Sequence, residues 1–319
     1  MKINTVLGQI DSSELGFTLM HEHIINVDWS FVKAFGNEFY DKNEVVRLFK
    51  EDMETLKPLG VKTLVDMTPI NLGRDLEIMQ RCSEAAEINI IAVTGLYSQE
   101  FPFYHSDVSI DRCLELFLRD LEKGMEGSTC KAGLVKCATN RVPGTTANNE
   151  NMIRAAVRAA QIAGVPLCTH VESGSDLGLW QQQIIESEGM DFNHVYYSHV
   201  FTRPDEAYLQ TLEKGGAYLG CDQLAFSMKA PVDMLLRYMK DDRKRRQVFI
   251  STDSAIRTDF GFTLSDRLRD RKTNSLCKEF IRKQRLIDEL PLRFEEAGIT
   301  KEQTREVFVD NPRRYFEIG

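Results

Sequence analysis

AGLVKCATNRVPGTTANNENMIRAAVRAAQIAGVPLCTH, residues 132–170, reads as one complete structural repeat. A short apolar run ends on Lys136. A helix is predicted through NMIRAAVRAAQIA, where Met152, Ile153, Ala156, Val157 and Ala160 share one face at helical spacing. Asn148 and Asn149 are expected to cap it, Gly164 to end it and Pro166 to prevent its continuation. A second apolar run, VPLCTH, then ends on His170. Strand, helix, strand in this order predicts a parallel pair joined by a helical crossover.

The same unit recurs outward in both directions. Further strands are expected to end near His23 (FTLMHEH), Asp66 (KTLVD), Thr94 (INIIAVT), His199 (VYYSH), Asp222 (AYLGCD) and Asp253 (QVFISTD). With the two strands of the opening repeat, that makes eight. Eight alternating units predict a single α/β domain over residues 1–319, a (β/α)₈ barrel of the TIM type. Near the end, Thr300 to Gln303 has a capping-box pattern opening a final helix, and Asn311-Pro312 is expected to mark the turn after it. The stretch 254–275 follows the last strand and is expected to be an active-site lid.

The strand ends carry the chemistry. Functional side chains of such barrels project from the C-terminal ends of the strands. Four of the six histidines fall there: His21 and His23 as an H-x-H pair, His170 and His199 singly. Residues two apart on a strand face the same side, so both imidazoles of the pair can meet one metal. In VYYSH, alternation puts His199 on the face of Tyr197 and Val195 and leaves His194 low on the strand. Cys168 shares the parity of His170 and is expected inside the barrel. His105, in the loop after the third strand, reads as an exposed loop histidine. Asp253 adds a carboxylate. Imidazole plus carboxylate suits borderline divalent ions: Zn²⁺ first, with Mn²⁺, Co²⁺ or Fe²⁺ compatible. Lys136 is the odd member, because an ammonium beside two dications is repelled. It fits only if it is neutral or converted to a carbamate by CO₂; otherwise its ammonium reaches solvent.

Composition narrows the class. A net charge of -8 argues against nucleic acid, and KDDRKRR at 240–246 reads as a solvated helix end. No apolar run is long enough for a membrane span. Seven cysteines, an odd number without C-x-x-C spacing, read as reduced thiols. The opening MKINTVLGQIDSSELG lacks the apolar stretch of a signal peptide. A cytoplasmic protein acting on a small molecule is the expectation.

The ordered motifs HEH, AGLVKCATN, CTHVESG, YYSHV and ISTDS, with VLGQI, LGFTLMHEHI, GRD (73–75), TGLY (94–97) and NPRRYF, resemble the phosphotriesterase family of the amidohydrolase superfamily over essentially the whole chain. The resemblance implies a distorted barrel and a homodimer. It implies one metal held by His21, His23 and Asp253, a second by His170 and His199, and a carboxylated Lys136 bridging them beside a hydroxide. It makes Asp253 the proton acceptor, so that Asp253→Asn would keep much of the metal and cut turnover. Tyr97 matches a tyrosine close to the metals in lactonases of the family. Gln223 stands where acyl-homoserine lactonases tend to carry arginine, which argues against that substrate. Lys229 and Arg257, in the loops after strands seven and eight, are similar to the cationic pair of the sugar-phosphate lactonase branch. The implied activity is lactone or carboxylic-ester hydrolysis, with an anionic, phosphorylated lactone in view and phosphotriester cleavage as a side activity. Amide hydrolysis of N-acylated small acids, primary phosphotriesterase activity and a non-catalytic barrel are the alternatives.

Overall fold

The computed structural model describes residues 1–36, 41–98, 108–223, 229–255, 257–258 and 288–318. Eight strands form one sheet in sequential order. They are β1 (Phe17–Glu22), β2 (Val61–Asp66), β3 (Asn89–Gly95), β4 (Leu134–Thr139), β5 (Leu167–Val171), β6 (Val195–Ser198), β7 (Tyr218–Cys221) and β8 (Val248–Ile250). Every neighbouring pair is parallel. Helices α1 (Lys42–Leu56), α2 (Leu76–Ala86), α3 (Ile110–Glu122), α4 (Ala147–Ala163), α5 (Leu177–Ser187), α6 (Glu206–Leu212) and α7 (Lys229–Lys240) alternate with them. This is the (β/α)₈ barrel expected from the repeat. It is distorted at one seam. Among the described residues β1 and β8 share no ladder, and hydrogen bonds from Asp253 N to His21 O (3.0 Å) and from His23 N to Ser254 O (2.9 Å) close the mouth instead.

Adjacent strand residues divide between two cores, as a period of two requires. Met20, Val65, Leu134, Cys168, Tyr196, Tyr218 and Phe249 pack together inside the barrel, with Tyr315 and Phe316 of the last helix. Their chain neighbours Leu19, Leu64, Val135, Leu167, Tyr197, Leu219 and Val248 pack outward against helix residues such as Phe49, Ile78, Phe117 and Ile153. Cys168 therefore lies inside, as its parity predicts. Tyr315 fixes this plug by donating its hydroxyl to Leu167 O (2.8 Å). The six described cysteines are free thiols. No described helix is long and apolar enough to cross a membrane.

Two local expectations need correction. Thr146, not an asparagine, caps α4, accepting from Asn149 N. Asn149 is inside the helix, and its side chain ties α4 to β4 through Thr139 Oγ1 (3.0 Å) and Ala138 O (3.2 Å). Asn148 Oδ1 accepts from Val108 N. Both asparagines are thus used for tertiary contacts. Asn311-Pro312 is not a turn. The helix Lys301–Arg305 runs through a π-helical segment into the helix Asn311–Phe316, where proline sits in the first turn. The Gly164 stop and the Thr300–Gln303 capping box are as expected.

The basic stretch 240–246 is a helix end laced with ion pairs. Asp241 caps it, and Arg243, Lys244 and Arg245 reach Glu213, Glu206 and Glu306. The GRD motif is likewise structural. Arg74 is buried and binds Asp120 (2.7 Å), Glu126 (2.9 Å) and Val93 O (3.1 Å). This joins β3 to α3 and to the start of α2, whose Leu76 N also donates to Glu126. Arg74→Met would leave the buried Asp120 carboxylate without its cation. We expect a loss of about 3–5 kcal/mol in urea unfolding. A change within experimental error would show that the network does not hold these elements.

Candidate metal centre

The mouth of the barrel gathers the predicted donors, and four of them approach one carboxylate or one another closely. His21 Nε2 lies 3.5 Å and His23 Nε2 3.4 Å from Asp253 Oδ1. His199 Nε2 lies 4.0 Å from Asp253 Oδ2. The His21 and His170 rings each stand 4.6 Å, centroid to centroid, from the His199 ring. Lys136, on β4, is buried within the barrel and donates from Nζ to Met67 O (2.6 Å).

The second hydrogen bond of each imidazole decides which nitrogen keeps its lone pair. Thr68 Oγ1 donates to Ile25 O (3.0 Å), so it accepts from His23 Nδ1 (2.7 Å) and leaves Nε2 free to ligate. Asp222 accepts from His199 Nδ1 (2.8 Å) and from its backbone N (2.9 Å), which again frees Nε2. His170 Nε2 faces Asn140 Oδ1 at 2.9 Å, so Nδ1 carries the lone pair. Such partners set the tautomer and orientation of metal-binding histidines. His21 is different. It is fully buried, and neither ring nitrogen has a close hydrogen-bond partner: Nδ1 stands 3.4 Å from Asp222 Oδ2 and Nε2 3.5 Å from Asp253 Oδ1. Unpaired buried polar atoms are costly, and a cation between His21, His23 and Asp253 would satisfy one of them. The donor atoms of these three lie within 4.8 Å of one another.

Protonation states agree with this. Burial, with the nearby Lys136, pushes His21 down to about 3, and burial beside His199 also lowers His170 well below its ordinary value. Burial alone would raise the Asp253 carboxyl, but the neighbouring imidazoles, His199 first, hold it well below the usual range. Neutral imidazole and ionised carboxylate are the forms that bind metal. Burial also lowers the Lys136 amine. The residues present therefore fit divalent metal.

His199 reaches the site by a route that strand alternation does not supply. Tyr197 and Val195 face the helices, and it is Tyr196 that packs inside. β6 stops at Ser198, and His199 adopts a left-handed conformation (φ +66°) that turns its ring inward. Asp253 is also left-handed (φ +49°). Both are residue types that tolerate this region better than most. The parity expectation for His199 is corrected accordingly.

The other candidates fall as follows. Tyr97 OH lies 3.2 Å from His170 Nε2, and Asn71 grips the Tyr97 backbone at both N (2.6 Å) and O (3.0 Å). Gln223 donates from Nε2 to Asp253 Oδ2 (2.8 Å) and accepts at Oε1 from Ser173 Oγ (2.6 Å). Lys229 is the first residue of α7. Arg257 lies on a two-residue strand (Arg257–Thr258) paired in parallel with Ile25–Asn26 beyond β1. His194 is away from the site, with Nδ1 on Tyr315 O (3.2 Å). His105 and most of the 254–275 stretch (256 and 259–275) lie outside the described residues. Asp222 is legible in the sequence only as a strand end, yet it orients His199, accepts from Tyr196 OH and stands 3.4 Å from His21 Nδ1. Glu22 and Asn140 carry no separate signal; one is hidden inside HEH, the other lies just past a strand.

Eight parallel strands with this donor set at their C-terminal mouth define a barrel that carries residues able to hold metal on its functional face. The sequence profile of the phosphotriesterase family matches residues 1–316, and the chain belongs to that family, whose chemistry is the hydrolysis of ester bonds. It is 32% identical to an aryldialkylphosphatase of Saccharolobus solfataricus, with 96% of each chain covered. It is 25% identical to a phospho-furanose lactonase of Mycoplasmopsis synoviae, covering 97% of this chain and 90% of the relative. The solved structure of the phosphotriesterase from Mycobacterium tuberculosis superposes with a TM-score of 0.88 at 30% identity, covering 100% of this chain and 99% of that one.

Proposed function

We propose that the protein is a binuclear metal-dependent hydrolase of lactones or carboxylic esters, with phosphotriester cleavage as a side activity. The observation that carries this reading is the hydrogen-bond pattern of the imidazoles. His23, His170 and His199 each have one nitrogen engaged by a fixed partner and the other left for a cation, beside the unpaired His21 and the Asp253 carboxylate.

Two bound divalent ions, Zn²⁺ before Mn²⁺, Co²⁺ or Fe²⁺, would supply a water acidic enough to be a nucleophile near neutral pH and would polarise the substrate oxygen. His21, His23 and Asp253 would hold the more buried ion, His170 and His199 the more exposed one. Lys136 would bridge them. Burial lowers its amine, and in the neutral form that amine would attack CO₂, forming an N–C bond and releasing a proton to give the carbamate. Asp253 Oδ2, which accepts from Gln223 Nε2, would take the proton of the attacking water and return it to the leaving oxygen. Burial pushes the Tyr97 phenol up to about 12, so its hydroxyl is available as a hydrogen-bond donor to substrate.

An anionic lactone is the substrate this reading favours. Lys229 and Arg257 begin their segments in the loops after β7 and β8, where barrels of this kind hold phosphate. The similarity to a phospho-furanose lactonase supports the same choice. The test is a panel of neutral lactones, phosphorylated lactones, carboxylic esters, phosphotriesters and N-acyl acids, run on the parent and on Arg257→Met. Losing one charged hydrogen bond should raise KM for a phosphorylated lactone by about 10-fold or more and leave a neutral lactone unaffected. Equal effects on both would remove the anion site. Preferred turnover of N-acyl acids would replace the lactonase reading.

A further inference from the structure

Glu22 stands between His21 and His23, and it is as buried as they are. Its carboxylate turns to the chain on either side of Asp253. Oε1 accepts from Ser251 Oγ (2.7 Å) and Thr252 N (2.7 Å). Oε2 accepts from Thr252 Oγ1 (2.5 Å), Ser254 Oγ (2.9 Å) and Ser254 N (3.2 Å). Met67 N donates to the Glu22 carbonyl (2.8 Å), which ties the same residue to the end of β2.

The location gives this cluster its meaning. It lies on the one seam that no strand ladder closes, and it spans 229 to 232 residues of sequence. Residue 253, between the clamped 252 and 254, is held in the left-handed region. A non-glycine residue there carries backbone strain that the surroundings must oppose. The same clamp fixes Asp253 Oδ1 at 3.4–3.5 Å from the Nε2 atoms of His21 and His23. Few side chains other than a carboxylate serve here. Five donors converge on two oxygens, and a carboxylate offers about four lone-pair sites and no competing hydrogen.

We propose that Glu22 is a positioning residue for the buried metal site, so that closure of the barrel seam and loading of that metal are coupled. The inference rests on reading His21, His23 and Asp253 as a metal site. It adds that their geometry is imposed from behind by a residue that touches neither metal nor substrate.

The experiment compares the parent, Glu22→Gln, and the milder Thr252→Val and Ser254→Ala, which keep the carboxylate and remove one hydroxyl donor each. Zn²⁺ affinity and stoichiometry are measured by chelator competition. Amide exchange across 251–254 is measured with and without Zn²⁺, and thermal unfolding on the metal-free forms. We expect Glu22→Gln to weaken one of two Zn²⁺ equivalents by about 10–100-fold, the usual effect of losing an outer partner, and to leave the other unchanged. Zn²⁺ should slow exchange at 251–254 in the parent and fail to do so in Glu22→Gln. The two milder variants should weaken the same equivalent by a smaller factor, which keeps the test decisive if Glu22→Gln does not fold. A lower Tm with both Zn²⁺ affinities unchanged would make Glu22 a purely structural clamp and overturn the proposal. If the parent itself bound no Zn²⁺, the metal-site reading would fail first and take this inference with it.

Discussion

Replacing Asp253 by asparagine should lower kcat by about 10²–10⁴-fold, the range associated with a positioned proton acceptor. The expectation drawn from the sequence is that metal content is largely kept. The structure changes that part. Gln223 presents its NH₂ group to Oδ2 of Asp253, and Ser173 pins the amide in that orientation. An asparagine at 253 would satisfy Gln223 with its oxygen. Its own NH₂ would then face the Nε2 atoms of His21 and His23, where Asp253 Oδ1 now lies. An amide nitrogen is no ligand there, so the buried metal should be weakened along with turnover. Metal analysis and steady-state kinetics on Asp253→Asn check both parts. Parental turnover would remove Asp253 as proton acceptor, and full metal content with low turnover would restore the simpler expectation.

Lys136→Met is the second change with a large expected effect. Methionine nearly matches the lysine stem in volume, and such swaps are tolerated in cores at under about 1.5 kcal/mol. Folding should survive, while the amine that donates to Met67 O is gone. If a carbamate on this amine bridges two ions, its loss should lower turnover by about 10³-fold or more, the scale of losing a fixed electrostatic partner in a closed site. Metal-free parent protein should likewise recover activity slowly in CO₂-free buffer and faster with bicarbonate, whereas Lys136→Met should show no bicarbonate dependence. A folded Lys136→Met with parental stoichiometry and rate would exclude the bridge.

Much of this molecule is legible in its amino-acid order. The eight strands follow from apolar runs alternating with helical faces, and all eight are present. The H-x-H pair and the Lys136, His170 and Asp253 positions follow from placement at the strand ends. Departures arise where local rules meet tertiary use. Asn148 and Asn149 look like caps because asparagine commonly serves that role, but Thr146 takes it and both amides reach across to other elements. Proline at 312 looks like a stop because it follows a helix, yet it opens another.

His199 shows the division most clearly. Its place among the donors follows from the sequence, but strand alternation is not what puts it there. Alternation would point it at the helices, and its own left-handed backbone, secured by Asp222, turns it to the barrel mouth instead. By itself, then, the sequence determined the barrel, its strand ends and the donor types, because periodicity is a local property of a chain. The tertiary structure decided which nitrogen of His23, His170 and His199 is free, how Asp253 is aimed, and that Glu22 ties across the seam. Those depend on hydrogen bonds between residues far apart in sequence, such as Glu22 with Ser254 and Gln223 with Ser173, whose partners folding alone brings within reach.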